Sequence, residues 1–129
     1  MNKIGFVLAT LIALFTLTAC YSSGGGGSSS AQIPSLMAPA DMSNKEAAAK
    51  NNEGVDHLVQ GHWDVALKNF DAAIAAKANF AEAHFNRGIA LDGKGDHSGA
   101  TEAFKKAKEF GGANPKIAEN EVLKKHTGM

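Results

Sequence analysis

The sequence has one cysteine, Cys20, which excludes an intramolecular disulfide. It has no charge surplus either, with 13 Lys and Arg against 13 Asp and Glu. Neutralising a phosphate backbone needs a basic excess, so no nucleic-acid partner is expected. Aromatic residues of the larger kind are scarce, with one Trp and one Tyr. Ala is instead abundant from Ala47 onward, which suits helices in close contact better than β-sheet. Catalytic signatures are missing. Gly24 to Gly27 lack the lysine and the following helix of a phosphate-binding loop. No serine sits in a nucleophile elbow. Five histidines, His57, His62, His84, His97 and His126, form no His-x3-His pair, and no carboxylate spacing completes a metal site. The expectation is a protein that is not an enzyme, with no catalytic residue, no metal and no cofactor.

What is present begins at the N-terminus. Lys3 is a positive n-region, and Ile4 to Leu17 is an almost unbroken apolar run of 14 residues without charge. That is shorter than the roughly 18–20 residues needed to span a bilayer, which favours an export signal over residues 1–19. Removing Lys3 with it leaves the mature chain one basic residue short of balance. Leu17-Thr18-Ala19-Cys20 resembles the lipobox of bacterial lipoproteins: a branched apolar residue, a small residue, Ala or Gly, then Cys. The resemblance implies that the Cys20 thiol receives a diacylglycerol and that the preceding peptide bond is cut. Two or three acyl chains, at about 0.8 kcal/mol per buried CH₂, would anchor the protein stably to a membrane. Tyr21 is not the Asp that favours inner-membrane retention, so in a Gram-negative envelope the expected place is the periplasmic face of the outer membrane.

Ser22 to Ser30 contains only Ser and Gly, and Pro34 and Pro39 extend the irregular composition to about Ser43. Residues 20–43 therefore read as a lipidated N-terminus and tether, with a reach of roughly 25–30 Å. The remaining chain, 44–129, is long enough for one small domain of about 85 residues.

That domain repeats itself every 34 residues. Gly54 returns as Gly88, Gly61 as Gly95, Ala66 as Ala100, Phe70 as Phe104 and Ala73 as Ala107. A fixed order inside a fixed period is a stronger signal than any single motif. Each unit reads as a helix–turn–helix. The first has helices over about 45–60 and, capped by Asp64, on to about 78. The second has a helix over 82–94, a break at Gly95 and a cap at Ser98 for the next. Ala66, Phe70, Ala73 and Ile74 share one helical face, and the small pairs Gly54–Ala66 and Gly88–Ala100 let the helices approach while Phe fills the seam. This pattern resembles the tetratricopeptide repeat, with units at about 47–80 and 81–114. The segment Ala81-Glu82-Ala83-His84-Phe85-Asn86-Arg87-Gly88-Ile89-Ala90 is close to the family's first helix. Lys50 and His84 replace its usual Trp, Glu53 and Arg87 its usual Leu, and Ala78 and Gly112 its frequent Pro. Lys50 and Glu53 suggest a solvated outer face, as a terminal repeat needs.

Asn114 and Pro115 read as N-cap and first residue of a closing helix over about 115–127. The fold class expected is all-α: two tetratricopeptide-like hairpins and a C-terminal cap. Two repeats fall short of the three or so usually required, so the cap or a second copy of the chain supplies the missing interface. The resemblance implies a concave groove for a partner peptide or helix. Position by position it is lined by Ala48, Asn51, Asn52, Val55, Leu58 and Val59, then by Glu82, Phe85, Asn86, Ile89 and Asp92. The partner-binding candidates are Asn51, Val55, Leu58, Phe85, Asn86 and Ile89, with Phe85 the expected anchor. The alternative cover for these residues is the protein's own cap or a second subunit. Asn86 matches one position of the family's peptide-carboxylate clamp, but Val55 and Asn51 replace others, so no clamp is expected. The function expected is a membrane-anchored interaction module for a protein partner in the cell envelope. The alternative is a structural accessory subunit of a pilus-type or outer-membrane assembly complex.

Overall fold

Two glycines with positive φ, Gly61 at 75° and Gly95 at 85°, divide each repeat into its two helices in the computed structural model, which describes residues 33–128. The expected export signal, Cys20 and the Ser/Gly tract lie outside the described residues. α1 spans Lys45–Val59 and α2 Trp63–Ala76; α3 spans Ala81–Gly93 and α4 His97–Gly111. Both turns close in the same way. Gly61 N–H donates to the Leu58 carbonyl at 3.0 Å, and His62 N–H reaches back to His57 at 3.0 Å. One repeat later, Gly95 donates to Asp92 and Asp96 to Leu91, both at 2.9 Å. These bonds satisfy carbonyls left open at a helix end, and the left-handed residue between them favours glycine.

The caps differ in part from those expected. Asn44 caps α1 by accepting from Ala47 N–H at 3.0 Å, and its Nδ2 donates to the Ala76 carbonyl at 2.8 Å, tying the start of α1 to the end of α2. Asp64 is not a cap: His62 is the N-cap, two residues earlier, and Asp64 lies in the first turn, ion-paired with Lys94. In the second repeat the cap is Asp96, which accepts from Gly99 N–H at 2.9 Å; Ser98 falls inside α4.

Within each hairpin the helices meet on a Phe. Phe70 and Phe104 are fully buried, as are Ala66, Ala73, Ala100 and Ala107 on the same faces. A β-carbon at Gly88 would lie 2.6 Å from the Phe104 ring, and Gly54 stands in the same relation to Phe70. The small residue is therefore what lets the ring enter the seam. α2 also packs on α3, joining the two hairpins into one array.

The closing element is two helices, not one. α5 covers Pro115–Ala118 and α6 Glu121–Thr127, each started by an asparagine cap, Asn114 and Asn120. Ile117 and Leu123 are both fully buried. On a continuous helix they would point about 120° apart, at about 100° per residue. The break at Glu119–Asn120 turns both inward against α4. Among the described residues no helix is long and apolar enough to cross a membrane.

The tether expected to run to Ser43 ends sooner. Residues 33–43, here called the strap, lie on the helices. Ile33 and Leu36 pack against the core cluster, and Met42 is buried with Ala47, Ala73, Phe80 and Ala83. A turn closed by Met42 N–H to the Pro39 carbonyl, at 3.1 Å, leads the strap into α1.

Candidate functional site

The strap reads Ile33-Pro34-Ser35-Leu36-Met37-Ala38-Pro39. Each proline fixes its own φ and biases the residue before it toward extended backbone, so this stretch cannot coil into a helix and satisfy itself. Its main-chain groups must find partners elsewhere. α1 and α3 provide them. Asn86 Oδ1 accepts the Leu36 N–H at 2.8 Å, and Asn86 Nδ2 donates to the Leu36 carbonyl at 2.7 Å. Asn51 Nδ2 donates to the same carbonyl at 2.9 Å. The two amides are joined to each other, Asn86 Nδ2 to Asn51 Oδ1, at 2.9 Å. Asn52 Oδ1 accepts the Ala38 N–H at 2.8 Å.

Asn51 and Asn86 are both fully buried. A primary amide in that position costs on the order of 1–3 kcal/mol for each group left unpaired. Here every group is used, and among the described residues no buried side-chain polar atom lacks a partner. This face of α1 and α3 is therefore a main-chain reader: asparagines from equivalent helices of successive repeats recognise the N–H and C=O of one extended residue.

Apolar contacts flank this grip. Ile33 and Pro34 share a hollow with Trp63, Ile89 and Val122, so α2, α3 and α6 all contribute to it. Met37, next to the gripped residue, is turned outward and is 54% exposed. Along the other edge of the strap runs an open cleft bounded by Glu82, Asn114 and Lys116.

The structure separates the expected groove residues into two groups. Asn51 and Asn86 touch the strap directly, joined by Asn52. Val55, Leu58, Phe85 and Ile89 belong to the core cluster on which Ile33 and Leu36 rest. Phe85 and Leu58 are fully buried, and the Phe85 ring lies 5.6 Å from that of Phe104. Phe85 thus supports the groove from within. Of the outer lining, Val59 is exposed and lies at the end of α1. In the structure the chain's own strap lies over these residues, with Val122 of α6 beside it. One sequence signal pointed to it: Ile33, Leu36 and Met37 are bulky apolar residues in a stretch otherwise built like a linker.

The departures from the repeat pattern have local explanations. His84 stands where Trp is usual, is buried, and donates from Nε2 to the Ala78 carbonyl at 2.8 Å. It thereby fixes the inter-repeat turn that elsewhere would carry proline. Burial holds its imidazole below the ordinary value of 6.5, aided by Lys106 and Arg87, against the raising effects of the Ala78 hydrogen bond and Glu109. Arg87 reaches across to Asp71 of α2 at 2.7 Å, and Lys50 pairs with Glu53 on the solvated face of α1 at 2.7 Å. Lys94 holds the exposed Asp64 carboxyl below its usual range.

The histidines were expected to form no metal-type cluster. Three side chains far apart in sequence nevertheless converge: Asp92 at the end of α3, His97 at the start of α4 and His126 near the end of α6. No fixed spacing could have revealed them, because the fold of α6 onto α4 brings His126 into place.

Helix pairs repeating every 34 residues, with Gly and Phe interlocked in each, define an α-helical repeat scaffold. The tetratricopeptide-repeat profile matches residues 51–115, half of the chain, and the protein belongs to that family. A search of curated proteins found no match. The fold is an interaction scaffold that receives a protein partner.

Proposed function

We propose that this protein is a lipid-anchored module of the cell envelope whose groove binds an extended peptide segment of a protein partner, and that the strap is the resident occupant a partner replaces. The observation that carries the reading is the double contact of Asn86 with Leu36. Such a contact reads main chain, so it accepts any extended segment that can place an apolar residue beside it. An extended segment fits this grip better than a helix, whose N–H and C=O groups are already spent on each other. The exchange leaves the core in place, because the strap rests on the helices and threads through none of them.

The anchor half of the reading rests on Leu17-Thr18-Ala19-Cys20. With Tyr21 after the cysteine, the outer membrane is the proposed address in a Gram-negative cell. Lipid and groove then serve one purpose: the acyl chains confine the module to a surface, and the groove recruits a partner to it.

A synthetic copy of residues 33–39 tests the groove half. Leu36→Asp in the protein should loosen the strap and let the added peptide bind, while Asn86→Ala should abolish that binding. Trp63, the single tryptophan, shares the hollow with Ile33 and reports occupancy by fluorescence. Peptide binding that is indifferent to both substitutions would remove the proposal. Labelling cells with a fatty-acid analogue tests the anchor: the wild type should be marked and Cys20→Ser should not.

A further inference from the structure

We propose that Asp92, His97 and His126 form a binding site for a divalent transition-metal ion of the zinc type, which staples the terminal helix to the last repeat. Asp92 Oδ1 lies 2.7 Å from His97 Nδ1 and 3.1 Å from His126 Nε2. All three donor atoms fall within 4.8 Å of one another. Ligands around a tetrahedral zinc, at about 2.0–2.2 Å from the ion, stand roughly 3–3.5 Å apart, so the set is close to closing on a common centre.

The contacts of His126 orient it as a ligand. The Thr101 hydroxyl donates its only hydrogen to the His97 carbonyl at 2.8 Å. Its oxygen can therefore only accept from His126 Nδ1, 3.3 Å away. That places a ring hydrogen on Nδ1 and turns Nε2 toward the Asp92 carboxylate. A histidine ligand whose second nitrogen donates to a hydroxyl or carbonyl is the usual supporting geometry of a metal site. The His126 side chain is also 11% exposed, held against Phe104 with ring centroids 5.1 Å apart, so its orientation is fixed before any ion arrives.

The donor set is two imidazoles and one carboxylate, which suits zinc and its neighbours and not calcium or magnesium. His97 is 72% exposed, so it can rotate to complete the site, and a fourth position stays open to water. The consequence is structural. The three ligands come from α3, α4 and α6, and α6 is a seven-residue helix at the end of the array. An ion tying it down would close the hydrophobic edge that Leu123 covers.

The test uses the full chain in detergent with Cys20→Ser, so that no thiolate competes for metal. Zinc titrated against a chromophoric chelator should bind one ion per chain. His97→Gln and His126→Gln should each weaken binding at least tenfold, while His57→Gln with His62→Gln, the other close histidine pair, should not. Cobalt(II) should give the visible absorption of a four-coordinate site in the parent and lose it in His97→Gln. Zinc should raise the thermal midpoint of the parent and leave that of His97→Gln unmoved. His97 is a surface residue, so its variant folds and keeps the comparison fair. Equal zinc affinity in the parent and His97→Gln, or no one-to-one binding at all, would overturn the proposal.

Discussion

The side-chain amide of Asn86 is paired with both main-chain groups of Leu36, the N–H at 2.8 Å and the carbonyl at 2.7 Å, across 50 residues of sequence. An amide does here what a neighbouring β-strand would do. Asn86→Ala should cost about 1–3 kcal/mol in urea denaturation, because it strands the Leu36 N–H and the Asn51 oxygen together. Asn86→Asp should be worse. It keeps the acceptor for the Leu36 N–H but sets a charged oxygen against the Leu36 carbonyl and Asn51 Oδ1. If the aspartate variant is as stable as the parent, the pairing is assigned wrongly.

Gly88 and Phe104 supply a second prediction. Replacing a helical glycine by alanine ordinarily stabilises by about 1 kcal/mol. At Gly88 the sign should reverse, since the new methyl would lie 2.6 Å from the Phe104 ring. A loss of about 1–3 kcal/mol is expected. Adding Phe104→Leu should make the alanine less harmful than it is alone, a coupling that a double-mutant cycle measures directly. Ala100→Leu should be destabilising for the same reason of volume.

Phe85→Ala should act on stability and only through it on binding. The ring is fully buried against Phe104, so its loss should cost about 3–5 kcal/mol. Peptide affinity, measured where the variant is still folded, should change far less than it does for Asn86→Ala. A normal melting curve combined with lost binding would return Phe85 to the role of anchor.

His84 sets a pH dependence. Its folded pKa lies below the ordinary 6.5, so between the two values the unfolded chain binds the extra proton. Stability from this residue is therefore complete above the unfolded value and is lost as pH falls through and below it. The urea midpoint should drop between about pH 7.5 and about pH 5.5, and His84→Gln should flatten that drop. An identical slope in both proteins would assign the dependence elsewhere.

The period of 34 carried the hairpins, because Gly, Ala and Phe recur wherever two helices touch. The caps were harder to read. Asp64 and Ser98 are good capping residue types, yet His62 and Asp96 hold the positions, since the glycine turns fix where each following helix can start. The break at Asn120 was hidden for a different reason: continuous helix and two short helices share the same apolar residues, and only burial of both Ile117 and Leu123 decides between them. Asn51 and Asn86 could be named as groove residues from repeat position. Their occupant could not, because extended segments carry no periodicity. The Asp92–His97–His126 cluster was illegible for want of any local spacing.

The strap and the helices also differ in how their contacts are distributed along the chain. Each hairpin is closed by contacts between neighbouring helices, whereas the strap is held by partners up to 50 residues away and has almost no hydrogen bonds of its own. Segments of that kind detach in sub-global openings that cost less than unfolding the whole. Native-state hydrogen exchange should therefore release the Leu36 and Ala38 amides well before those inside α3, with a smaller dependence on urea. The molecule then has two levels of cooperativity, and its groove can empty and refill on a timescale set by a local fluctuation while the helical array stays intact.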